Sequence, residues 1–484
     1  MGTYFGNHDK TYFGLHNHTA YSNLRLLDCI NRPTELIDKA IELGLSGIAI
    51  TDHECLSAHM EVNQYAKKLR ETNPDFTIAL GNEIYLTDDR SSGKKYYHFI
   101  LIAKDELGHK ALRKLSSIAW QNSYVDRRME RVPTTKAELA EVMKEYRGHV
   151  IATTACMGGE LSTDALAMTL AEDVGDIATA RLYYDKINEF MAYCMQVFGD
   201  DFYVECAPST DADQILVNRK LYRIAEVHGV KLVVATDAHY LTKEDREIHK
   251  AYLNSKEGDR EVDMFYEFAR LMDYDEVKDL LMNYSFDGNH YTAEAILENT
   301  LEIQKKITFY SLERKQIIPK VDVEFYEPDD WSRVPGLIMN NFDHKWRTIQ
   351  LLVMSNNDQE RYWVQECIKA LWEKGLELKP EYWDRLEIEA DVIRFIGNKL
   401  DDCLFAYFNT FKHYIDLFWE CGSIVGPGRG SATGFLSNYL LGITQLDPIR
   451  WNLPYWRFLN KERAELPSLL LILGSCKKRT LTVA

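Results

Sequence analysis

Two histidines near the N-terminus have the spacing of a pair of metal ligands. His16 and His18 lie in residues 15–19, which we interpret as the end of a short strand because apolar residues flank this segment. Alternate side chains of a strand share one face, so the two imidazoles project together and Asn17 points away. Two imidazoles on one face make half of a metal site, although a His-x-His pair alone is also common among packed or solvated residues.

Further residues of metal-binding type occur at the ends of short apolar runs. They are Asp52, His53, Glu83, His98, Cys156, Asp237 and His239. Most of these runs alternate with stretches of helical spacing, a pattern typical of α/β barrels and sheets. In such folds the loops at strand ends bring distant residues together over one rim. The sequence therefore predicts a metal site built from strand ends, in preference to a set of unrelated polar residues.

The first part of the chain, up to about residue 245, predicts a continuous α/β alternation. Residues 33–43 have amphipathic spacing and end at Gly44, and the apolar run 47–51 follows at once. This order is typical of a strand–helix–strand unit with parallel strands. We also expect one long helix over residues 173–198.

The predicted secondary structure and the composition change after this α/β alternation. A mostly helical and highly charged stretch extends to about residue 305, and residues 310–335 are irregular and contain three prolines. Helices resume near residue 346, including one whose aromatic stripe of Phe408, Phe411 and Phe418 predicts a buried face. We therefore divide the chain into domains 1–245, 246–335 and 336–484.

Composition and charge restrict the class of protein. The chain has 484 residues, enough for two or three domains, and its net charge of −17 argues against coating nucleic acid by bulk electrostatics. No apolar run approaches the length of a membrane span and no signal-like leader opens the chain, so we expect no membrane partner. The nine cysteines form no Cys-x-x-Cys pair, which favours reduced thiols in a cytosol.

A glycine-rich segment in the second half predicts a loop that binds phosphate. The segment includes Gly426, Gly428, Arg429, Gly430 and Ser431, and we expect a strand before it and an apolar helix after it. Such a loop offers backbone N–H groups and the positive end of a helix dipole to an anion. The arginine adds a planar donor and the serine a hydroxyl. A structural turn is the alternative, but the order Gly-Pro-Gly-Arg-Gly-Ser favours a phosphate or triphosphate.

Nearly the whole chain resembles the N-terminal portion of the bacterial replicative DNA polymerase III alpha subunit (C family), in the form found in some large bacteriophages. Residues 1–245 resemble its polymerase and histidinol phosphatase (PHP) domain. That part of the likeness lies in residues 16–18, 50–53, 81–83, 98, 156–160 and 237–241, and the likeness to the polymerase palm lies in residues 386–393, 426–431 and 456–463. The resemblance implies an α/β fold with a PHP-type (βα) barrel-like domain and a trinuclear metal site, followed by a mostly helical α/β palm fragment.

The resemblance also implies a set of ligands. These are His16, His18, Asp28, His53, Glu83, His98, Cys156, Asp237 and His239. We expect them to hold three divalent cations, and the mixture of carboxylate, imidazole and thiolate is compatible with zinc, manganese or iron, with magnesium as a further candidate. The extra residues 23–25 make Asp28 the least secure ligand. We expect Asp52 to orient His53, and assign catalytic roles to Asp52, His53 and His98.

The implied activity is 3′–5′ exonuclease proofreading of DNA, with the glycine-rich loop holding the phosphates of a deoxynucleoside triphosphate. The implied partners are a primer–template or a single-stranded 3′ end, and a second chain with the rest of the palm, thumb and fingers. The implied location is the cytosol of a bacterium or of a phage-infected host. Two other functions stay open. One is a structural metal module that supports a partner polymerase, and the other is a small-molecule phosphoesterase. The palm-like half argues against the second, because such an enzyme needs no second phosphate loop.

The C-terminal segment departs from the family pattern. The family has an acidic strand directly after the Leu-Pro that corresponds to Leu466-Pro467, whereas this sequence has an apolar run and no Asp or Glu after Glu465. Polymerisation needs two carboxylates that hold metal ions, so we expect that this chain does not polymerise DNA unaided. A split polymerase, a truncated product and a change of reading frame are the three explanations, and we favour the last two.

Overall fold

A computed structural model describes residues 10–90, 96–126, 129–255, 265–286, 290–315, 317–324 and 344–463, and every structural statement below refers to these residues. The chain divides into two compact units, Met1–Arg314 and Lys315–Ala484. The helices of the predicted domain 246–335, as far as Lys305, belong to the first unit. The three-domain division by function stays a prediction.

The first unit is built on one mixed sheet. Its strands are β1 (Phe13–Gly14), β2 (Gly47–Ile50), β3 (Thr77–Thr87), β4 (Tyr97–Ala103), β7 (Thr134–Thr135), β8 (Val150–Thr153), β9 (Phe202–Cys206) and β10 (Leu232–Val234), and β5 (Tyr124–Asp126) and β6 (Met129–Arg131) form a separate hairpin. The order is β1-β2-β3-β4-β8-β9-β10, with β7 beside β3. β4 is antiparallel to both of its neighbours, and the other pairs of the large sheet are parallel.

Helices cover the outer face of this sheet. They are α1 (Pro33–Glu42), α2 (His59–Leu69), α3 (Glu106–Gln121), α4 (Lys136–Glu145), α5 (Glu160–Asp173), α6 (Ile177–Phe198), α7 (Ala212–His228), α8 (Arg246–Leu253), α9 (Tyr274–Leu280) and α10 (His290–Lys305). The long helix predicted over residues 173–198 is confirmed from Ile177 to Phe198, but its predicted start at residue 173 is wrong, because the chain turns at Gly175 with a φ of 73°. Asp176 then caps the new helix α6 by accepting a hydrogen bond from Thr179 N at 3.1 Å.

The two edge strands of the sheet meet at the end where the histidines lie. His18 N donates to Ala238 O at 3.0 Å, and Ala238 N donates to His16 O at 3.2 Å. The extension of β1 therefore pairs with the chain that follows β10, and the sheet closes on itself at this end.

Helix α10 seals the rest of the seam. Phe13 N, at the free edge of β1, donates to Thr300 Oγ1 at 2.9 Å. At the other edge, Asn299 Nδ2 donates to Leu232 O at 2.8 Å. Two neighbouring polar side chains thus satisfy backbone groups that an unpaired edge would leave exposed. The result is a barrel-like wall with a helix in its seam.

The strands contribute side chains to two separate cores. Along β4, Phe99 and Leu101 belong to the core under the helices, whereas Ile100 and Ile102 belong to the core inside the barrel. This alternation follows from the two-residue period of a strand. The inner core also contains Phe13, Leu15, Ala49, Ala79, Ile151, Ala155, Tyr203, Val233, Ala235 and Ile303. The barrel-like α/β fold expected from the sequence is confirmed.

The second unit is helical where it is described. Its helices are α11 (Arg347–Val353), α12 (Asp358–Glu373), α13 (Pro380–Leu400), α14 (Phe405–Glu420) and α15 (Leu436–Leu440). The predicted aromatic face is confirmed, since Phe408 is fully buried and Phe411 and Phe418 pack against the same core. None of the described helices combines the length and apolarity that crossing a bilayer requires. The segment after Glu465, in which no acidic residue occurs, lies outside the described residues.

Two buried histidines connect α2 and α3 beneath β3. His59 Nε2–H donates to Gly81 O at 2.9 Å, so its Nδ1 accepts from His109 Nε2–H at 3.0 Å. A proton added to either ring has no acceptor among the described residues, because His109 Nδ1 is buried without a partner. Burial and the neighbouring ring lower the pKa of His59 to about 3, and burial lowers the pKa of His109 to about 4.

We predict that this pair makes the first unit less stable at acid pH. The unfolded chain takes up protons near the ordinary pKa of 6.5 and the folded chain does not, so stability is full above pH 6.5 and falls as the pH drops toward 4. Between pH 6.5 and pH 4, the free energy of unfolding of His109→Gln should fall by roughly 2–3 kcal/mol less than that of wild type. Urea unfolding followed by circular dichroism measures the free energy of unfolding at each pH. An equally steep pH dependence in the variant and in wild type would contradict the prediction. His413→Gln, at an exposed position of α14, is the control.

Candidate metal centre

Eight of the nine predicted ligands lie in or after strands of the large sheet, and the ninth, Asp28, follows the 3₁₀ turn Ala20–Leu24. His16 and His18 follow β1, and His53 follows β2 and pairs with Glu83 of β3 in a parallel bridge. His98 is the second residue of β4, and it reaches the same rim because β4 runs in the opposite direction. Cys156 follows β8, and Asp237 and His239 follow β10. The structure therefore brings all of these residues to one end of the barrel.

The first group of donor atoms surrounds His16 Nε2. Glu83 Oε2 lies 2.6 Å from this nitrogen, His18 Nε2 lies 3.1 Å from it, and Asp237 Oδ1 lies 3.2 Å from it. His18 Nε2 is also 3.3 Å from Glu83 Oε2 and 3.1 Å from Asp237 Oδ1. Ligands of one cation at about 2.1 Å stand roughly 3–3.4 Å apart. These four atoms have the spacing of a coordination shell.

The second group uses the other oxygen of Glu83. Glu83 Oε1 lies 2.8 Å from His98 Nδ1 and 3.0 Å from His53 Nδ1. Cys156 Sγ lies 3.6 Å from His98 Nδ1. One carboxylate therefore faces both groups, as a bridging ligand does.

The third group contains Asp28. Its Oδ2 atom lies 3.2 Å from His53 Nε2 and 3.7 Å from His239 Nε2. His18, His53 and His239 also bring nitrogen atoms within metal-binding reach of one another. Asp28 thus lies among the other candidates, in spite of the extra residues before it in the sequence.

Buried negative charge is the dominant electrostatic feature of this site. Five carboxylates with 7% exposure or less converge on it: Asp28, Asp52, Glu83, Glu205 and Asp237. Asp28 Oδ1 and Asp237 Oδ1 are buried and make no hydrogen bond within the described chain. Buried carboxylates are costly unless positive charge compensates them. The donor set and these orphaned oxygens fit divalent cations.

The imidazoles respond to the same charges. Burial lowers the pKa of His16, but the facing carboxylates of Asp237 and Glu205 outweigh burial and hold this pKa well above its usual value. Burial raises the pKa of Asp237, but His16 and His239 outweigh burial and hold this pKa well below its usual range. A cation that binds through His16 Nε2 must therefore displace the proton that this raised pKa favours.

Residues around the site hold the rings in orientations suitable for ligands. Glu205 Oε1 accepts a hydrogen bond from His16 Nδ1 at 2.8 Å, which leaves Nε2 for the first group. Ser22 Oγ lies 3.0 Å from His18 Nδ1, and the carbonyl of Asp237 accepts from His239 Nδ1 at 2.7 Å. Glu205 was absent from the predicted site. Its signal is a carboxylate inside the apolar strand β9, where burial needs a partner.

The Asp52 carboxylate contacts different groups from those expected. It accepts hydrogen bonds from Thr19 N at 2.6 Å and from Ser22 Oγ at 2.7 Å. The ring of His53 instead faces Asp28 and Glu83. Asp52 therefore acts on His18 through Ser22, and the expectation that it orients the His53 ring is corrected.

The backbone is strained where it presents the ligands. Three non-glycine residues of the site have positive φ: Glu54 (47°), which follows His53, Ala155 (59°), which precedes Cys156, and Asp237 (48°). Such conformations are unfavourable for residues with a side chain and concentrate at functional sites. Gly158 meets a related restriction, since a Cβ atom there would lie 2.8 Å from His98 Nδ1.

The glycine-rich loop of the second unit has two glycines with positive φ and several exposed residues. Gly428 and Gly430 have φ of 119° and 71°, and a Cβ at Gly428 would lie 2.7 Å from Thr433 Cγ2. Arg429 is exposed and Ser431 is half-buried, and Gly426 opens the loop. The predicted strand over residues 423–425 is wrong, because the described chain has only a bridge residue there. The apolar helix expected after the loop is confirmed as α15 (Leu436–Leu440), and a 3₁₀ turn, Gly430–Gly434, precedes it.

A buried carboxylate anchors the end of this loop. Glu389 of α13 accepts hydrogen bonds from Leu436 N at 2.7 Å and Ser437 N at 2.8 Å, and from Arg385 Nε at 3.0 Å. The first amides of α15 are therefore used inside the protein. Phosphate at this loop would have to bind through the preceding amides and Arg429.

Two protein families match separate parts of the chain. Residues 14–209 match the PHP domain, and residues 356–470 match the bacterial DNA polymerase III alpha NTPase domain. The chain carries a PHP domain. The resemblance to the DNA polymerase III alpha subunit that we inferred from motifs is thereby confirmed.

Relatives with both regions are DNA polymerases. A DNA-directed DNA polymerase of Bacillus phage SPbeta is 37% identical over 479 residues, which cover 94% of this chain and 36% of that protein. The DNA polymerase III subunit alpha of Aquifex aeolicus (strain VF5) is 29% identical over 486 residues, covering 95% of this chain and 36% of its own length. The chain therefore spans about a third of the length of these curated relatives.

Among solved structures, one described as a metal-dependent phosphoesterase from Bifidobacterium adolescentis aligns with 56% of this chain and 96% of its own. The TM-score is 0.30 and the identity 16%, values too low to support an argument about this PHP domain.

We predict that Glu205→Gln weakens metal binding by the PHP domain. The amide removes the negative charge that holds His16 Nδ1–H, and loss of such a partner lowers affinity by roughly 10–100-fold. Equilibrium dialysis against Zn²⁺ or Mn²⁺, followed by metal analysis, measures the change. Glu71→Gln, at an exposed position after α2, is the control. Equal affinity of Glu205→Gln and wild type would show that Glu205 does not support the site.

Proposed function

We propose that the PHP domain hydrolyses phosphodiester bonds at the 3′ end of a DNA strand. The observation that carries the proposal is the convergence of five buried carboxylates and of the predicted imidazoles and thiol on one end of the barrel. Relatives of this chain are DNA polymerases, so a growing or mispaired DNA end is the substrate that we infer.

The proposed ligands are those predicted from the sequence. They are His16, His18, Asp28, His53, Glu83, His98, Cys156, Asp237 and His239, in the three groups described above. Divalent cations held there would stabilise charge on the phosphoryl group and activate the attacking water. We propose three cations, of zinc, manganese or iron, with magnesium as a further candidate.

The chain's own residues fix where the reaction occurs. Glu83 faces two of the groups with its two oxygens, so it sets their separation. Glu205 and Ser22 hold His16 and His18 in place, and Asp52 in turn accepts a hydrogen bond from Ser22. We propose that Asp52 is a positioning residue and that His53 and His98 act at the reacting phosphate through the cations that they hold.

We predict that the double variant His53→Ala/His98→Ala releases no nucleotides from the 3′ end of a labelled oligonucleotide. Both rings face Glu83 Oε1, so their removal opens the second group and leaves Glu83 without compensation. The loss should be at least about a thousandfold, as for the removal of several groups that act as a unit. Gel analysis of a 5′-labelled strand in Mn²⁺ measures it.

The control for this experiment is His228→Ala, at a half-buried position at the end of α7, which precedes β10, whereas the ligands Asp237 and His239 follow β10. It should digest the strand as wild type does. Unchanged digestion by the double variant would contradict the proposal. Tight metal binding without any digestion by wild type would instead assign the domain a structural role in support of a polymerase.

The glycine-rich loop carries a second proposal, namely that it binds the phosphates of a deoxynucleoside triphosphate as part of a DNA polymerase. The positive φ of Gly428 and Gly430 and the exposed guanidinium of Arg429 support this reading. The remaining parts of the polymerase would lie in a longer chain or a partner chain. DNA as primer–template, and the cytosol as the location, follow from the same proposal.

We predict that Arg429→Ala weakens the binding of a magnesium–deoxynucleoside triphosphate by roughly tenfold or more, since a charge-assisted hydrogen bond is lost. Calorimetric titration with the intact chain measures the dissociation constant. Arg450→Ala removes another exposed arginine of the same unit and should leave the constant unchanged. Equal affinities in all three proteins would contradict phosphate binding at this loop.

A further inference from the structure

A cavity of about 240 Å³ adjoins the metal centre of the PHP domain. Cys156 and Asp237, two of the proposed ligands, form part of its wall. The rest comes from the residues after β9, the start of α7 and the 3₁₀ turn that ends at Phe268. Pockets for drug-sized ligands measure about 300–1,000 Å³, so this one suits a single small unit. A phosphodiester bound at the cations would place one of its substituents here.

One part of the cavity wall is apolar. Met157 and Phe268 line it, and both pack against the core under the helices. An aromatic ring and a thioether are favourable partners for a flat base, and stacking of bases on aromatic side chains is tolerant of sequence.

The other part of the wall carries negative charge. Asp211 and Asp213 line the cavity, and the described lining includes neither Lys nor Arg. The start of a helix usually attracts phosphate, but here Asp211 Oδ1 accepts hydrogen bonds from Asp213 N at 3.1 Å and Gln214 N at 3.0 Å. The anion-binding amides are already occupied by a carboxylate. The hydroxyl of Ser209 accepts from Asp211 N at 2.9 Å and retains its own proton to donate.

We propose that this cavity holds the 3′-terminal nucleoside of the strand and requires a free 3′-hydroxyl group. The proposal rests on the proposed nuclease function and deepens it. The base lies against Met157 and Phe268, and the sugar hydroxyl lies among Ser209, Asp211 and Asp213. A 3′-phosphate would place two negative charges beside those carboxylates and is rejected.

The reaction that follows is a hydrolysis. The oxygen of water bonds to phosphorus, and the bond between phosphorus and the 3′-oxygen of the penultimate nucleotide breaks. One proton of the water ends on that 3′-oxygen, and the other is released or stays on the new phosphate monoester. The terminal nucleoside 5′-monophosphate leaves, and the shortened strand again ends in a 3′-hydroxyl group.

The first test compares two oligonucleotides of one sequence, one with a 3′-hydroxyl and one with a 3′-phosphate end, in Mn²⁺. Wild type should degrade the phosphate end at least about tenfold more slowly, because like charges at close range are unfavourable. Asp211→Asn/Asp213→Asn should narrow this ratio to about threefold or less, since asparagine retains the helix cap and removes the charge. Glu172→Gln, an exposed acid on α5, should keep the wild-type ratio.

The second test measures binding in EDTA, without metal or turnover. Saturation-transfer NMR should detect thymidine on wild type, and thymidine 3′-monophosphate should give at least about tenfold weaker signals for the same electrostatic reason. Phe268→Ala should abolish the thymidine signals, and Phe268→Trp should retain them through stacking.

The outcomes separate the cavity from the nuclease itself. If wild type digests neither end above the His53→Ala/His98→Ala background, the nuclease proposal fails, and thymidine binding alone decides whether the cavity takes a nucleoside. If hydroxyl ends are digested but phosphate ends are digested equally well, the cavity proposal is overturned. It is also overturned if thymidine signals are absent from wild type or survive in Phe268→Ala.

Discussion

Buried carboxylates at one end of a barrel need positive charge, and most features of the first unit follow from this need. Oxygen atoms of Asp28, Glu83 and Asp237 lie 2.6–3.7 Å from imidazole nitrogens, and several of these atoms have more than one such neighbour, which is the spacing of ligands that share cations. Around them, Glu205, Ser22 and a backbone carbonyl turn the rings so that the correct nitrogen faces inward. The site is therefore organised from outside as well as from within.

The barrel brings these groups together through two departures from a simple parallel sheet. β4 runs against its neighbours, so that the start of this strand, with His98, reaches the rim formed by the carboxyl ends of the other strands. The seam between β1 and β10 closes directly only at the rim, where His16 and His18 flank the pairing with Ala238. Elsewhere α10 fills it with Asn299 and Thr300. Closure at the rim places His16 and His18 next to Asp237.

The two proposed ligand sites, the glycine-rich loop and the cavity beside the metal centre, differ in how their residues would treat a phosphate group. At the loop of the second unit, positive φ at two glycines keeps backbone amides accessible and Arg429 supplies charge. At the cavity beside the PHP metal centre, the amides at the start of α7 are already bonded to Asp211. In the two proposals, the loop would attract phosphate and the cavity would take the uncharged end of a nucleotide.

The sequence by itself determined the α/β class, the strand ends that carry ligands and the family, because strand and helix periods and residue types are local properties. It also indicated the nine candidate ligands through resemblance. The tertiary structure decided what local patterns do not contain. Glu205 became visible only when β9 placed it against His16, and Asp52 proved to contact Ser22 and Thr19 instead of the His53 ring. The missing strand before Gly426 has the same origin, since packing overrides local propensity, whereas the turn at Gly175 and the cap at Asp176 are local signals. Contacts between residues far apart in sequence depend on how the sheet closes, and closure is a property of the whole fold.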